Sequence, residues 1–459
     1  MFLIRQRGST VGREVLGGLT TFMAMSYIIF VQVAVLGNMD INKDGVPDMD
    51  PGGVMMATCL SAALSSILMG LWANYPVALA PGMGENVFFV LVLAPALAAY
   101  GTGQGWQMAL ALTLVPGIII LLLTTVGFRK YILDMIPNAL KSGIAAGIGL
   151  FIAVIGFNEA NLVGAGGALL VLKKLQNNPA AWLALAVLAI TLTLMAFRIR
   201  GAILLGILGG AVIAGLMHKL SWPGWPVAWP GGLEKTAGGF VPGFESLWQA
   251  LPSHWVDILV FLFILLLMDL FDSVGTLVGV AQRAGLIRDG KLPKANQALA
   301  ADAVGTVVGA GLGASTVTSY IESVTGVAAG ARTGLAAIVT GVLMVLAMFF
   351  GPVVKMIGGG VAVDDGPPKH PLIAPAMIIV GSMMLRVVRD LEWDDVTEYL
   401  PAFLTMITMP LAYSISDGIA IGFVTYAFAK LVSGRAKECP AAVYVFAVVF
   451  VIRYAWIAG

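Results

Sequence analysis

Residues 261–280 read FLFILLLMDLFDSVGTLVGV, an apolar run that carries two aspartates. At about 1.5 Å of rise per residue, some 20 apolar residues in a helix cross the roughly 30 Å hydrocarbon core of a bilayer. Asp269, Asp272 and Thr276 fall at i, i+3 and i+7, on one helical face. A carboxylate at membrane depth costs about 2.5–3.5 kcal/mol on insertion scales. Such residues persist where they face a polar cavity or a partner; the plainer alternative is a structural pair, one aspartate capping a neighbouring helix end.

Outward from this run the whole chain has the same character. Of its 459 residues 59% are hydrophobic and only 11% charged, and the mean hydropathy is +0.93. A water-soluble domain carries roughly 25% charged residues, so the solvent here is lipid. Abundant glycine, 56 residues, suits close helix packing and broken helices in membranes. A net charge of +1 gives no reason to expect nucleic acid as a partner. Cys59 and Cys439 have no CxxC spacing, which weakens disulfide and metal readings. Arg5, Arg7 and Arg13 precede an apolar run from Val15 to Leu36 that lacks a small-residue cleavage site, so it reads as a retained first span rather than a signal peptide.

Apolar runs recur 15 times, several of them short or interrupted by Gly and Pro; 14 are read as spans, with 399–413 and 441–458 undecided. With a cytoplasmic N-terminus and alternating runs, about 18 of the 26 Lys and Arg residues fall inside, among them Arg129, Lys130, Lys141, Arg198, Arg200, Arg283, Arg288, Lys291, Lys294, Arg332, Arg386 and Arg389. That is the positive-inside pattern. The Trp- and Pro-rich segment 218–255 then lies outside as an interfacial cap and divides the chain into halves 1–230 and 231–459. Each half has a Gly-rich interrupted segment, LAPGMGENVFFV (79–90) and GASTVTSYIESVTGVAAG (313–330). Paired interruptions at matching places mark the substrate site of inverted-repeat transporters, although two such segments also arise by chance in a Gly-rich chain.

In STVTSYIESVTG, Glu322 is the single acid among small and hydroxylated residues, either a ligand-binding group or a buried acid satisfied by backbone amides. The facing segment offers a break at Pro81, Gly82 and Gly84, then Glu85, Asn86, Phe88 and Phe89. An amide beside aromatic rings suits a flat heterocycle, though Phe88 fits a core or lipid-facing position equally. Two carboxylates and an amide without a committed cation favour a neutral, planar ligand rich in N–H donors, since a carboxylate accepts two N–H groups side by side. Burial and like charge both favour the neutral form of a carboxylate, which makes Glu322, Asp272 and Asp269 candidates for proton coupling.

The chain resembles the hypoxanthine/guanine (purine) permease branch of the nucleobase–cation symporter family, relatives of the nucleobase–ascorbate transporters. The resemblance rests on TTFMAMSYIIFV (20–31), APGMGENVFFV (80–90), SGIAAGIGLFIAVIGF (142–157), MDLFDSVGTLVGVA (268–281), the stretch 301–335 and YLPAFLTMITMPLAYSISDGIAIGF (399–423). It implies an all-α polytopic protein of about 14 transmembrane helices in two inverted seven-helix repeats, with interleaved core and gate domains and two broken helices at the site. By similarity the base sits between the third and tenth helices, held by Asp272 and Glu322 with Asn86 contributing, and Thr276, Phe88 and Glu85 shape the pocket. The resemblance implies purine import in an inner (plasma) membrane and a homodimer.

Two features depart from that pattern. Position 85 is Glu where an apolar residue such as Leu is expected after APGMG, which leaves the preferred purine open. In the loop 37–53, Asp40, Asn42, Asp44, Gly45 and Asp48 match the early positions of an EF-hand-type calcium loop, but the twelfth position is Pro51. The alternative there is a solvated acidic loop. No other cofactor is indicated. His218, His254 and His370 fall in expected loops without metal spacing, and no GxxxxGK[ST] motif supports ATP-driven pumping. Three rivals stand beside proton-coupled purine import. A sodium-coupled nucleobase permease would use the same acids. An anion (sulfate/bicarbonate-type) transporter of this fold should present cations and helix N-termini instead. An intramembrane enzyme would need a nucleophile–base pair or metal cluster, and none is found.

Overall fold

The computed structural model describes residues 2–42, 44–126, 136–166, 169–287, 292–363 and 368–457; Arg129, Lys130, Arg288 and Lys291 of the expected inner face lie outside them. The molecule is built of apolar helices: α1 (Val11–Met25), α2 (Tyr27–Val35), α3 (Pro51–Leu68), α4 (Met83–Phe88), α5 (Ala94–Ala98), α6 (Gly105–Val126), α7 (Asn138–Glu159), α8 (Pro179–Ala196) and α9 (Ala202–Leu216) in the first half. The second half holds α10 (Phe240–Arg283), α11 (Ala295–Leu312), α12 (Ser323–Ala328), α13 (Gly334–Ala347), α14 (Gly351–Gly358), α15 (Ala374–Met384), α16 (Val396–Ala412), α17 (Ile415–Val432) and α18 (Ala441–Ile452). Among the described residues eight helices are long and apolar enough to cross a membrane. Of the undecided runs, 399–413 falls on α16 up to its cap at Tyr413, and the described part of 441–458 falls on α18 and the π-helical turn Arg453–Ile457 that follows it. Helix starts follow local chemistry: Asp50 accepts from the Gly53 amide with Pro51 at the first turn of α3, and Asn178 with Pro179 does the same for α8.

The helices pack as two groups. In one, α6 lies against α10 and α11, and α3 against α11 and α13, with α1 on α13. In the other, α7 packs on α15 and α16, and α17 on α16 and α18. Each group draws helices from both halves of the chain.

The two interrupted segments meet within the first group, against α3, α10 and α11. Each contains a short strand, β1 (Leu79–Pro81) and β4 (Val317–Ser319), and the two pair antiparallel with Leu79 opposite Ser319 and Pro81 opposite Val317. A second small hairpin joins β2 (Val163–Gly166) to β3 (Leu169–Leu172). In lipid every backbone polar group needs an internal partner, and the two breaks solve this alike. The Ser66 hydroxyl of α3 donates to the Leu79 carbonyl (3.1 Å) and accepts from the Leu79 amide (2.9 Å). The Thr306 hydroxyl of α11 donates to the Val317 carbonyl (3.0 Å) and accepts from the Val317 amide (3.1 Å). Gly313, at φ 101°, ends α11 and turns the chain toward β4; a Cβ there would lie 2.5 Å from that of Thr236.

Two local expectations change. The segment 218–255 is not loop throughout: from Phe240 it is helical and runs on into α10, bent at His254 (φ −126°, ψ 22°) just past Pro252. Proline removes a hydrogen bond and crowds the preceding turn, which bends a helix rather than ending it here. His254, expected in a loop, therefore sits in a kink and stacks on Tyr100 (3.9 Å between centroids). His370 is likewise engaged rather than free, its Nδ1 lying 2.7 Å from Oε2 of Glu159.

Candidate functional site

A cavity of about 280 Å³ lies where the paired breaks face α10, and Asp272, Thr276 and Glu322 all line it. α10 supplies the first two from one face, as their i, i+4 spacing requires. Glu322 comes from the turn between β4 and α12, and it is the residue that opens α12. Tyr27 from the start of α2 donates its hydroxyl to Oε1 of Glu322 at 2.8 Å. Thr318 of β4 donates to Oδ2 of Asp272 at 3.3 Å. Tyr320, also lining the cavity, donates to the Pro81 carbonyl at 2.6 Å and so ties the two breaks together. Phe271, Val380, Met383 and Met384 give apolar walls, and Ala145 of α7 brings the second helix group to the same space.

Behind the cavity lies a second group of acids. Asp269 is fully buried, with Oδ2 3.4 Å from the Thr306 hydroxyl and Oδ1 unpartnered among the described residues. Glu85 is buried too; its Oε2 has no hydrogen-bond partner among the described residues, and with Asp272 it borders a small void of about 30 Å³. Asp302 of α11 accepts from Ser273 (2.7 Å) and Ser319 (3.4 Å). Among the described residues no salt bridge involves Asp269, Glu85, Asp272 or Glu322. Arg386 is the one cation among the described residues that line the cavity. Such a hollow receives N–H donors and disfavours an anion.

Not every expected residue reaches the cavity. Asn86 is buried with its oxygen held by the Ser315 hydroxyl, so it braces the two broken segments against each other. Phe88 packs edge-to-face on Phe261 at 6.3 Å and is core. Neither lines the hollow; Met83 and Gly84, earlier on α4, do. Tyr27, Thr318 and Asp302 are contributors that sequence reading passed over. Asp302 carried a signal, an acid within the apolar run 298–312, like that of Asp269; Tyr27 carried none.

The calcium reading of Asp40, Asn42, Asp44 and Asp48 gains no cluster. Among the described residues no group of three or more His, Cys, Asp or Glu is placed to hold a metal ion. Asp40 accepts from the amides of Asp44 (3.2 Å) and Gly45 (2.8 Å), and Asp48 from that of Ile41 (2.6 Å). The carboxylates thus serve the loop backbone, and Pro51 opens α3 instead of supplying the closing bidentate ligand.

Comparison with known proteins places the chain in a family. Residues 12–421 match the permease family of the Xan_ur_permease description. The guanine/hypoxanthine permease PbuG of Bacillus subtilis is 40% identical over 99% of this chain and 98% of its own length. The adenine permease AdeP of Escherichia coli is 36% identical over 100% of this chain and 96% of its own. Among solved structures, the transmembrane domain of a cyanobacterial bicarbonate transporter, BicA, superposes with a TM-score of 0.60 at 15% identity, over 90% of this chain and 97% of that one. That likeness speaks for the fold alone.

Proposed function

This chain belongs to the permease family, and we propose on that premise that it imports purine nucleobases together with a proton. The observation that carries the reading is a single cavity of about 280 Å³ in which Asp272 and Glu322 share one space with hydroxyls and apolar walls. A purine presents flat apolar faces and an edge of N–H donors. Asp272 and Glu322 accept from that edge, and Thr276 and Thr318 complete the polar lining. Glu322 carries the coupled proton, with Asp272 and the buried Asp269 as the neighbouring acids of the relay. The purine cargo in the names of PbuG and AdeP supports the substrate class.

Alternating access follows from the two helix groups. The cavity lies at their junction, so movement of the core body against the gate exposes it to one side and then the other. The excess of Lys and Arg on one face supports an inner (plasma) membrane location with the N-terminus in the cytoplasm. Family resemblance supports a homodimer, which cross-linking in native membranes tests.

Uptake of labelled base into cells or proteoliposomes tests the reading, with guanine, hypoxanthine, adenine, xanthine and uracil as competitors, with and without sodium and with an uncoupler. Purines are expected to compete, uracil much less so, and the uncoupler to abolish accumulation at any sodium level. Accumulation that follows sodium and ignores the uncoupler assigns coupling to the other ion. Absence of competition by every purine sinks the substrate assignment.

A further inference from the structure

The cavity is not closed at its basic rim. It shares Ile321, Glu322, Met383 and Arg386 with a larger hollow of about 980 Å³. Four arginines from three separate segments line this vestibule: Arg198 and Arg200 between α8 and α9, Arg283 at the end of α10, and Arg386 beyond α15. Glu322 and Asp390 are the acids that line it. All four arginines are exposed, and among the described residues none forms an ion pair.

A basic cytoplasmic face is expected of an inner-membrane protein, but charges that serve orientation alone need only flank the spans. Here they converge on the mouth of a cavity whose cargo is neutral. Like charges gathered round one hollow repel each other, and a neutral base gains nothing from them. An anion does, and one that also carries a purine has a second end to place.

We propose that the vestibule binds the phosphate of a purine nucleoside monophosphate whose base occupies the adjoining cavity, so that the phosphorylated form of the cargo inhibits transport from the side on which the vestibule opens. The proposal rests on reading the cavity as a purine site. Guanidinium forks match phosphate oxygens two at a time, which an ammonium does not. The hollow also lies within the roughly 300–1,000 Å³ typical of small-molecule sites. With base and phosphate both held, core and gate are bridged by one ligand and the carrier is arrested. A reaction that attaches a sugar phosphate to the delivered base would then generate the inhibitor where import releases the cargo.

The test is displacement of labelled base from the purified full-length protein, using guanine, hypoxanthine or adenine, whichever binds. Competitors are the matching nucleoside, its 5′-monophosphate, inorganic phosphate and phosphatidylglycerol micelles, each at low and high salt. The monophosphate is expected to displace about tenfold more strongly than the nucleoside, an advantage worth one charge-assisted contact that shrinks as salt screens it. The double variant Arg198→Gln/Arg283→Gln is expected to lose that advantage while binding base as before. Should it lose base binding as well, Arg200→Gln alone reports the same loss in smaller measure. A monophosphate no better than the nucleoside, or an advantage that survives the arginine variants, overturns the proposal. Removal of the advantage by phosphatidylglycerol overturns it too and assigns the vestibule to a lipid headgroup. Failure of the wild type to bind any base sinks the reading of the cavity instead, whereas base binding without a nucleotide advantage sinks the vestibule proposal alone.

Discussion

Replacing Glu322 by Gln exchanges a carboxylate for an amide of the same shape inside the cavity. Glu322 is 6% exposed, and its Oε1 accepts the Tyr27 hydroxyl at 2.8 Å. Glutamine keeps an oxygen for Tyr27 and fills the same volume, so the fold is expected to survive. What is lost is the charge, and with it the ability to accept two N–H groups from one edge of a ring. Hydrogen bonds to charged groups contribute about 1.5–3 kcal/mol and neutral ones about 0.5–1.5. Losing one charge-assisted bond and weakening the other removes about 2–3 kcal/mol, or roughly 30- to 150-fold in affinity. Tyr27→Phe deletes one hydrogen bond that acts through Glu322 and should cost less, about fivefold. Titration of labelled base on purified protein measures both, with the thermal midpoint reporting on folding. A second readout separates binding from coupling. Without an acid at 322, exchange of base down its own gradient is expected to persist at saturating concentration while uphill uptake fails. A folded Glu322→Gln protein that binds base with wild-type affinity and accumulates it uphill would refute the assignment of Glu322.

Other perturbations test the frame around the site. A Cβ at Gly84 would lie 2.6 Å from Cγ2 of Ile148 on α7, so Gly84→Val should wedge α4 from the gate, costing about 1–3 kcal/mol of stability and most of the uptake; wild-type uptake at matched expression would deny that close contact. Lys430 is fully buried and pairs with Glu398 (2.7 Å) and with Glu438 (3.1 Å), which is half exposed and also held by Arg435, so Lys430→Met strands the Glu398 carboxylate and should lower stability by about 3 kcal/mol; thermal unfolding in detergent measures it, and adding Glu398→Gln should restore part of the loss. Asp395 lies outside the spans, and the hydrogen bond from Arg435, aided by that from Thr397, holds its carboxyl down to about 2. A lowered folded-state value stabilises the protein above the ordinary aspartate value of about 4 and is lost as pH falls from there through about 2. Acid unfolding followed by circular dichroism should therefore begin at higher pH in Arg435→Gln, and an unchanged acid limb would show that the pair contributes nothing.

Much of this was written in local chemistry. Hydropathy and charge are properties of short windows, so the membrane class, most spans and the basic face could be read from composition and periodicity. The Gly- and Pro-rich interruptions at 79–90 and 313–330 announced broken helices for the same reason, and Asp272 and Glu322 stood out because a lone acid in an apolar run is costly to keep. The tertiary structure decided which of these residues share a space. Tyr27 reaches Glu322 across 295 positions of chain, and nothing near either residue foretells that bond. Glu85, Asn86 and Phe88 looked like neighbours of the ligand, but Asn86 bonds Ser315, Phe88 packs on Phe261 and Glu85 sits behind the cavity beside Asp272, while Gly84 takes the wall. The strand pairing of Leu79–Pro81 with Val317–Ser319 was equally hidden, because three residues leave no periodic pattern and the bonds that hold them come from hydroxyls on other helices. The gathering of Arg198, Arg200, Arg283 and Arg386 round one hollow belongs here too: sequence could count those charges, but only the packing of distant helices could bring them to the mouth of the cavity.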